Sequence, residues 1–191
     1  MKRLEIQPGF VALLCFLFYI SPAAVFWSFL ICSLLHELGH LAALTFFSVK
    51  VRHIRLGALG TVMETEPMAQ STEVICALAG PLVNLFCFWA LRPCLPGAAL
   101  ISLLLGCYNL LPVYPFDGGR ALRAILCLCL SLRAGLFAES VIAALTLAAI
   151  GIGVIALYRG FGFLPLIVYC MLLVRIAIER NYCCESARTS V

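Results

Sequence analysis

Charge is what this chain has least of. Asp, Glu, Lys and Arg make up 12% of its 191 residues, about half the share usual in a soluble domain. Apolar residues reach 64%, which excludes a soluble globular fold and leaves an integral membrane protein. The net charge is +4 with no basic cluster, so nucleic-acid binding is excluded as well. Eleven cysteines are present without one CxxC pair, so neither a zinc ribbon nor a thiol redox motif is encoded. Most of them, Cys32 and Cys76 among them, lie singly in apolar runs and read as small packing residues. Cys183 and Cys184 follow the last apolar run in a polar tail, where nothing in the sequence assigns them a role. Aspartate is the rarest acid, Asp117 being the single one.

What is there is a succession of apolar runs. They cover roughly Phe10 to Ile20, Ala23 to Phe47, Thr72 to Leu91, Ala98 to Leu132, Ala134 to Leu157 and Phe161 to Ile178. About 20 residues cross a hydrocarbon core, so the pattern predicts an all-α polytopic membrane protein with about six transmembrane helices. The fourth is broken by the proline-rich stretch from Asn109 to Gly119. Lys2 and Arg3 precede the first run, but more membrane follows in place of a mature soluble domain, so it reads as an uncleaved span. With the N-terminus in the cytoplasm, eleven of the 13 Lys and Arg fall on or toward the cytoplasmic side and only Arg92 and Arg159 outside. The positive-inside rule therefore puts both termini in the cytoplasm. Between the second and third runs, Val49 to Glu66 partly alternates around a Gly57 to Gly60 turn and reads as a membrane-associated β-hairpin.

Two motifs carry chemistry. His36-Glu37-Leu38-Gly39-His40 is an HExxH signature inside an apolar run. Residues at i and i+4 share a helix face, so both histidines can bind one metal ion with Glu37 beside it. Two buried core histidines are the plain alternative, but three polar groups at membrane depth are costly without a function. Catalytic zinc takes three protein ligands, and the acids within reach of the bilayer are Asp117, Glu139, Glu64, Glu66 and Glu73. Asp117 lies in the second motif, Asn109-Leu-Leu-Pro112-Val-Tyr-Pro115-Phe-Asp117-Gly118-Gly119. There Pro112 and Pro115 interrupt the helix, and a loop can aim a carboxylate sideways. Capping of the following helix is compatible with ligation. His40 lies seven residues from Phe47, which sets the metal about 10 Å, or two helical turns, beneath the cytoplasmic face. Zinc lowers the pKa of water to about 7, and Glu37 would accept the proton and pass it to the leaving amine. Asn109, and more weakly Asn84 in the Gly80-Pro81-Leu-Val-Asn84 segment, are candidates to hold the substrate backbone or an oxyanion.

Together the two motifs resemble the site-2 protease family of intramembrane zinc metalloproteases. Every fixed position of its HExxH and Asn-x-x-Pro-x-x-Pro-x-Asp-Gly signatures is matched, and Gly80-Pro81 with Asn84 is similar to its small-residue motif. The resemblance implies a zinc site of His36, His40 and Asp117, a catalytic Glu37, and a β-hairpin after the HExxH span. It covers the chain through about Arg133 and implies one transmembrane metalloprotease domain over residues 1–191, with its catalytic core at about 23–133. The layout is similar to the branch containing the stage IV sporulation protease, which implies a bacterial cytoplasmic membrane and a tethered sigma-factor precursor as substrate. About a dozen polar residues follow Ile178, so neither a PDZ nor a CBS domain is expected.

The function expected is hydrolysis of a peptide bond in a membrane-embedded or membrane-tethered protein near the cytoplasmic face. The bilayer and that substrate are the partners, and a separate inhibitory membrane protein is compatible with them. The alternative is a non-catalytic membrane regulator, or a metal transporter using the same ligands. Glu37 separates the two, because transport needs no base beside the metal.

Overall fold

Proline punctuates the start of the chain. Pro8 opens helix α1 (Pro8–Ile20) at a position whose N–H has no intrahelical partner, and Pro22 caps helix α2 (Ala23–Phe46) from an extended conformation. The computed structural model describes residues 3–57, 60–161, 165–166 and 169–177, in two compact units, Met1–Leu111 and Pro112–Val191.

In the first unit, α1 has 13 residues, about 20 Å of helix against a hydrocarbon core of roughly 30 Å. The 24 residues of α2 give about 36 Å, enough to cross. A Schellman motif stops α2. Ser48 turns into the left-handed region at φ 57°, its N–H donates to Thr45 O at 3.0 Å, and Val49 N–H donates to Leu44 O at 2.8 Å. Leu44 and Val49 also pack together, in a small core with Val51 and Cys76. That reversal delivers the chain into strand β2 (Val51–Gly57), which pairs antiparallel with β3 (Gly60–Thr65). Arg55 and Glu64 form an ion pair across the two strands.

The hairpin expected over Val49 to Glu66 is therefore formed, and it has a third strand that the sequence pattern did not announce. Strand β1 (Arg3–Ile6) lies parallel to β2, with Arg3 opposite His53 and Ile6 opposite Leu56. Four residues ahead of a proline carry too little periodicity to read as a strand. Pairing makes β2 the central strand and leaves β1 and β3 as the edges.

Helix α3 (Gln70–Leu91) follows, with Glu73 in its first turn and Pro81 inside it, and α4 (Pro96–Asn109) returns. Within this unit α3 packs against both α2 and α4. Phe46, Phe86 and Trp89 remain exposed on the outer faces, as lipid-facing residues do. In the second unit an irregular stretch, 112–116, leads into α5 (Asp117–Cys129), which packs on α6 (Leu132–Phe161). Helical backbone is present again at 165–166 and 169–177. Tyr169 Oη donates to Leu147 O at 3.0 Å, tying that segment to α6.

Among the described residues, three helices are long and apolar enough to span a bilayer: α2, α3 and α6 over Leu132–Tyr158. Helices α1 and α4 are apolar but shorter. The run expected as a broken fourth span holds two helices, α4 and α5, with residues 110–116 between them. The expected sixth span falls partly outside the described residues, and Cys183 and Cys184 lie wholly outside them.

Ser48 is the one residue other than glycine with positive φ among the described residues, a conformation that costs an L-residue about 1–2 kcal/mol. Ser48→Gly should raise stability by about 1 kcal/mol, and Ser48→Val should lower it. Thermal unfolding in detergent checks both. Equal midpoints for the two variants would contradict the role given to this turn.

Candidate metal centre

Helix α2 buries one stripe: Cys32, His36, Gly39, His40 and Leu44. The spacing of three and four puts these residues on one face, and α3 covers that face in the same unit. Two glycines make the cover tight. A Cβ on Gly39 would lie 2.9 Å from Val83 Cγ2 and 3.0 Å from Ala79 O. One on Gly80 would lie 2.3 Å from His40 Nε2. The small-residue segment of α3 is thus a seat for the His40 ring, and any side chain at position 80 fills it.

The two imidazoles are 5% and 8% exposed, and their Nε2 atoms face each other at 3.1 Å. The rings meet edge to face, with centroids 4.7 Å apart. His40 Nδ1 lies 2.8 Å from the Cys76 carbonyl. A carbonyl only accepts, so Nδ1 carries the ring proton and Nε2 keeps its lone pair. This carbonyl partner is what fixes a metal-binding histidine in its useful tautomer. Two nitrogens on one tetrahedral zinc ion, each at about 2.05 Å, stand roughly 3.3 Å apart. The observed separation fits a shared ion. Glu37 sits half-buried on the helical turn between the two histidines.

Asn84, one turn beyond Gly80, is fully buried. Its side-chain amide lies 3.2 Å from His36 Nδ1. Its backbone carbonyl accepts from Ser102 Oγ of α4 at 2.9 Å, and Gly106 of α4 lets that helix close on Asn84, since a Cβ there would sit 3.2 Å from the Asn84 Cβ. Asn109 is the last residue of α4 and donates from Nδ2 to Leu105 O at 3.1 Å.

The second unit builds the surroundings of Asp117. It is the first residue of α5, largely buried, with Phe116 as N-cap. An acid in the first turn suits the positive end of the helix dipole. The expected capping role shifts accordingly: Asp117 favours the helix start by charge, and no side-chain capping bond is made by Phe116. Arg120 Nη1 stands 3.9 Å from Asp117 Oδ1, one turn along. The preceding turn folds back over Gly119, where a Cβ would lie 2.2 Å from the Val113 carbonyl carbon and 2.3 Å from Tyr114 N. Glycine is the one residue that admits this turn. Glu139 of α6, only 4% exposed, accepts the Tyr114 N–H at 3.2 Å. Arg123 lies over the Tyr114 ring at 4.9 Å and Arg175 over the Phe116 ring at 4.4 Å. Glu139 was legible in the sequence as an acid in an apolar span, but its role as a clamp on the 112–116 turn was not.

Among the described residues, His36 and His40 offer two imidazoles to a metal ion in the first unit, and Asp117 offers a carboxylate in the second. Two imidazoles and a carboxylate are a donor set suited to catalytic zinc. Of the other candidate acids, Glu64 pairs with Arg55, Glu66 lies 3.9 Å from Arg52, and Glu139 holds the Tyr114 N–H. Because the Gly80 Cβ position coincides with the His40 ring, Gly80→Ala should cost at least about 10-fold in zinc affinity. Competition with a chelator measures this, and an unchanged affinity would contradict the seat described for His40.

Residues 86–152 match peptidase family M50. A zinc metalloprotease of Methanocaldococcus jannaschii is 35% identical over 121 residues, 54% of this chain and 36% of that protein. Stage IV sporulation protein FB of Bacillus subtilis is 32% identical over 108 residues, 49% of this chain and 37% of that protein. The matched stretch thus spans about a third of the length of these curated relatives. Among solved structures, the site-2 protease from Methanocaldococcus jannaschii superposes with a TM-score of 0.65 at 28% identity, covering 92% of this chain and 87% of that one. In sequence and fold the chain is similar to the site-2 proteases, and its residues 86–152 are similar to peptidase family M50.

Proposed function

We propose that the chain is an intramembrane zinc metalloendopeptidase, with His36, His40 and Asp117 as zinc ligands and Glu37 as the catalytic acid–base. The observation that carries this reading is the histidine pair. Its Nε2 atoms converge at 3.1 Å, one ring is locked by the Cys76 carbonyl, and a carboxylate stands between the two on the same helix. Its wider support is the homology to zinc metalloproteases.

Zinc, when bound, acidifies water and polarises a carbonyl. The remaining steps belong to the chain. Glu37 takes a proton from the attacking water and returns it to the amide nitrogen that leaves, so one carboxylate serves both halves of the hydrolysis. Asn109 is assigned to the substrate backbone. Its bond to Leu105 uses one of the two N–H groups of the amide and leaves the other and the oxygen to bind. An intact helix shields its own carbonyls, so the substrate has to be unwound, and an edge strand of the small sheet, β1 or β3, offers backbone pairing to an extended segment.

The substrate class is a membrane-embedded or membrane-tethered protein cut near the cytoplasmic face. The distribution of Lys and Arg supports cytoplasmic termini, and Arg92 stacked at 4.1 Å over Trp89 supports an interfacial position for the far end of α3. A bacterial cytoplasmic membrane and a sigma-factor precursor in sporulation rest on the family likeness alone.

Glu37→Gln and Asp117→Ala test the reading together, with bound zinc and cleavage of a co-expressed tethered substrate as readouts. Glu37→Gln should keep zinc and lose at least about 100-fold in cleavage, whereas Asp117→Ala should release zinc. Wild-type cleavage by Glu37→Gln at normal expression would overturn the protease mechanism in favour of a regulator or transporter. Full zinc retention by Asp117→Ala would overturn the third-ligand assignment.

A further inference from the structure

Where α2 gives way to the hairpin, the first unit forms an open cleft of about 650 Å³. It is bounded by Leu41 and Thr45 of α2 and by Lys50, Arg52, His53 and Glu66 of the hairpin region. In a regular strand, neighbours such as Arg52 and His53 point to opposite faces. The pairing of β2 with β3 slips here: Val51 faces Thr65 and His53 faces Glu64, so Arg52 is an extra residue in the ladder. A bulge re-aims side chains, and both Arg52 and His53 line the cleft. Arg52 lies 3.9 Å from Glu66, with the two side chains 61% and 41% exposed, and so open a pair holds its partners weakly. Two fixed cations and an imidazole thus face one carboxylate. The last carbonyls of α2 would repel an anion, but those of Leu44 and Thr45 already accept the Val49 and Ser48 N–H groups.

The cleft continues an exposed stripe of α2. Leu34, Leu38, Leu41 and Thr45 recur at the three- and four-residue spacing of one helix face. Leu34 and Leu38 are 58% and 48% exposed, on the side of the helix away from His36, His40 and Leu44. From Leu34 to Thr45 the helix rises about 16 Å, close to one leaflet of a hydrocarbon core of roughly 30 Å. An apolar track one leaflet long therefore ends in a cationic cleft. A phospholipid has the same order, acyl chain and then phosphate. An acidic peptide would use the cations but has no use for the track.

We propose that the cleft binds the phosphate of an anionic phospholipid, with Lys50, Arg52 and His53 as donors and an acyl chain along the Leu34–Thr45 stripe. Basic pockets beside membrane-spanning helices suit such headgroups. Arg52 can offer a fork of N–H groups to phosphate oxygens, and Lys50 a point charge. A zwitterionic lipid would bring its own cation into a cleft already positive, so the site selects for net negative charge. The inference needs α2 to cross a bilayer and is independent of the metal reading.

The test uses the full chain in detergent with equal amounts of phosphatidylglycerol and phosphatidylcholine, and native mass spectrometry to count retained lipid. Wild type should keep one phosphatidylglycerol, with a preference of about 10-fold over phosphatidylcholine. The combined variant Lys50→Gln, Arg52→Gln and His53→Gln should lose that preference. Lys50→Arg with Arg52→Lys, which preserves charge, should retain it. Equal retention of the two lipids by wild type, or an undiminished preference in the glutamine variant, would overturn the proposal. Two competitors identify the occupant. Glycerol 3-phosphate, a headgroup without chains, should displace the lipid only at far higher concentration. Displacement at concentrations equal to the lipid would overturn the proposal in favour of a free-phosphate site. Displacement by a glutamate-rich peptide at such concentrations would overturn it in favour of an acidic protein segment.

Discussion

The close approach of α2 and α3 at Gly39 and Gly80 is the constraint on which the histidine site depends. With no Cβ at either position, the two backbones come near enough for the His40 ring to lie directly over Gly80 and for its Nδ1 to reach the Cys76 carbonyl. In lipid there is no hydrophobic force pushing helices together, so close backbone packing at small residues has to supply the association. The same contact buries two imidazoles and removes them from water. A buried polar group needs a partner, and each ring finds one on α3: a carbonyl for His40 and an amide for His36. Helix association and site construction are thus one event in this unit.

The second unit solves a different problem, which is to start a helix with an acid on its first residue. Pro112 and Pro115 keep the chain from continuing as helix, and Gly119 lets the turn fold back onto the first turn of α5. Glu139 then holds the Tyr114 N–H, and two arginines lie over Tyr114 and Phe116. A carboxylate as deeply buried as that of Glu139 is expensive in an apolar helix. Its retention makes sense as the clamp for the turn that presents Asp117.

Much of this was legible in the residues. The two histidines at i and i+4, the acid between them, the proline-broken segment and the hairpin all announce themselves by spacing, because helical and strand periods are local properties. The start of α3 and the end of α2 fall within two residues of the pattern. Strand β1 was not legible, since its pairing with β2 is a contact across some fifty residues and leaves no local mark. The partners of the two histidines were also hidden. Gly80 and Asn84 read as a generic small-residue break, and only the structure sets one under His40 and the other against His36. The length of α1 shows the limit of hydropathy. Its run is apolar enough to be a span, but Pro8 and Ser21-Pro22 confine the helix to 13 residues.

The central claim is that histidine nitrogen and carboxylate oxygen, not sulfur, hold the metal in a chain with eleven cysteines. Zinc-edge X-ray absorption on the purified, zinc-loaded protein tests this most directly. Two imidazole nitrogens at about 2.0–2.1 Å and carboxylate oxygen at about 2.0–2.2 Å are predicted. Sulfur scattering at about 2.3 Å would contradict it, because a thiolate ligand can come only from the cysteines that are read here as packing residues.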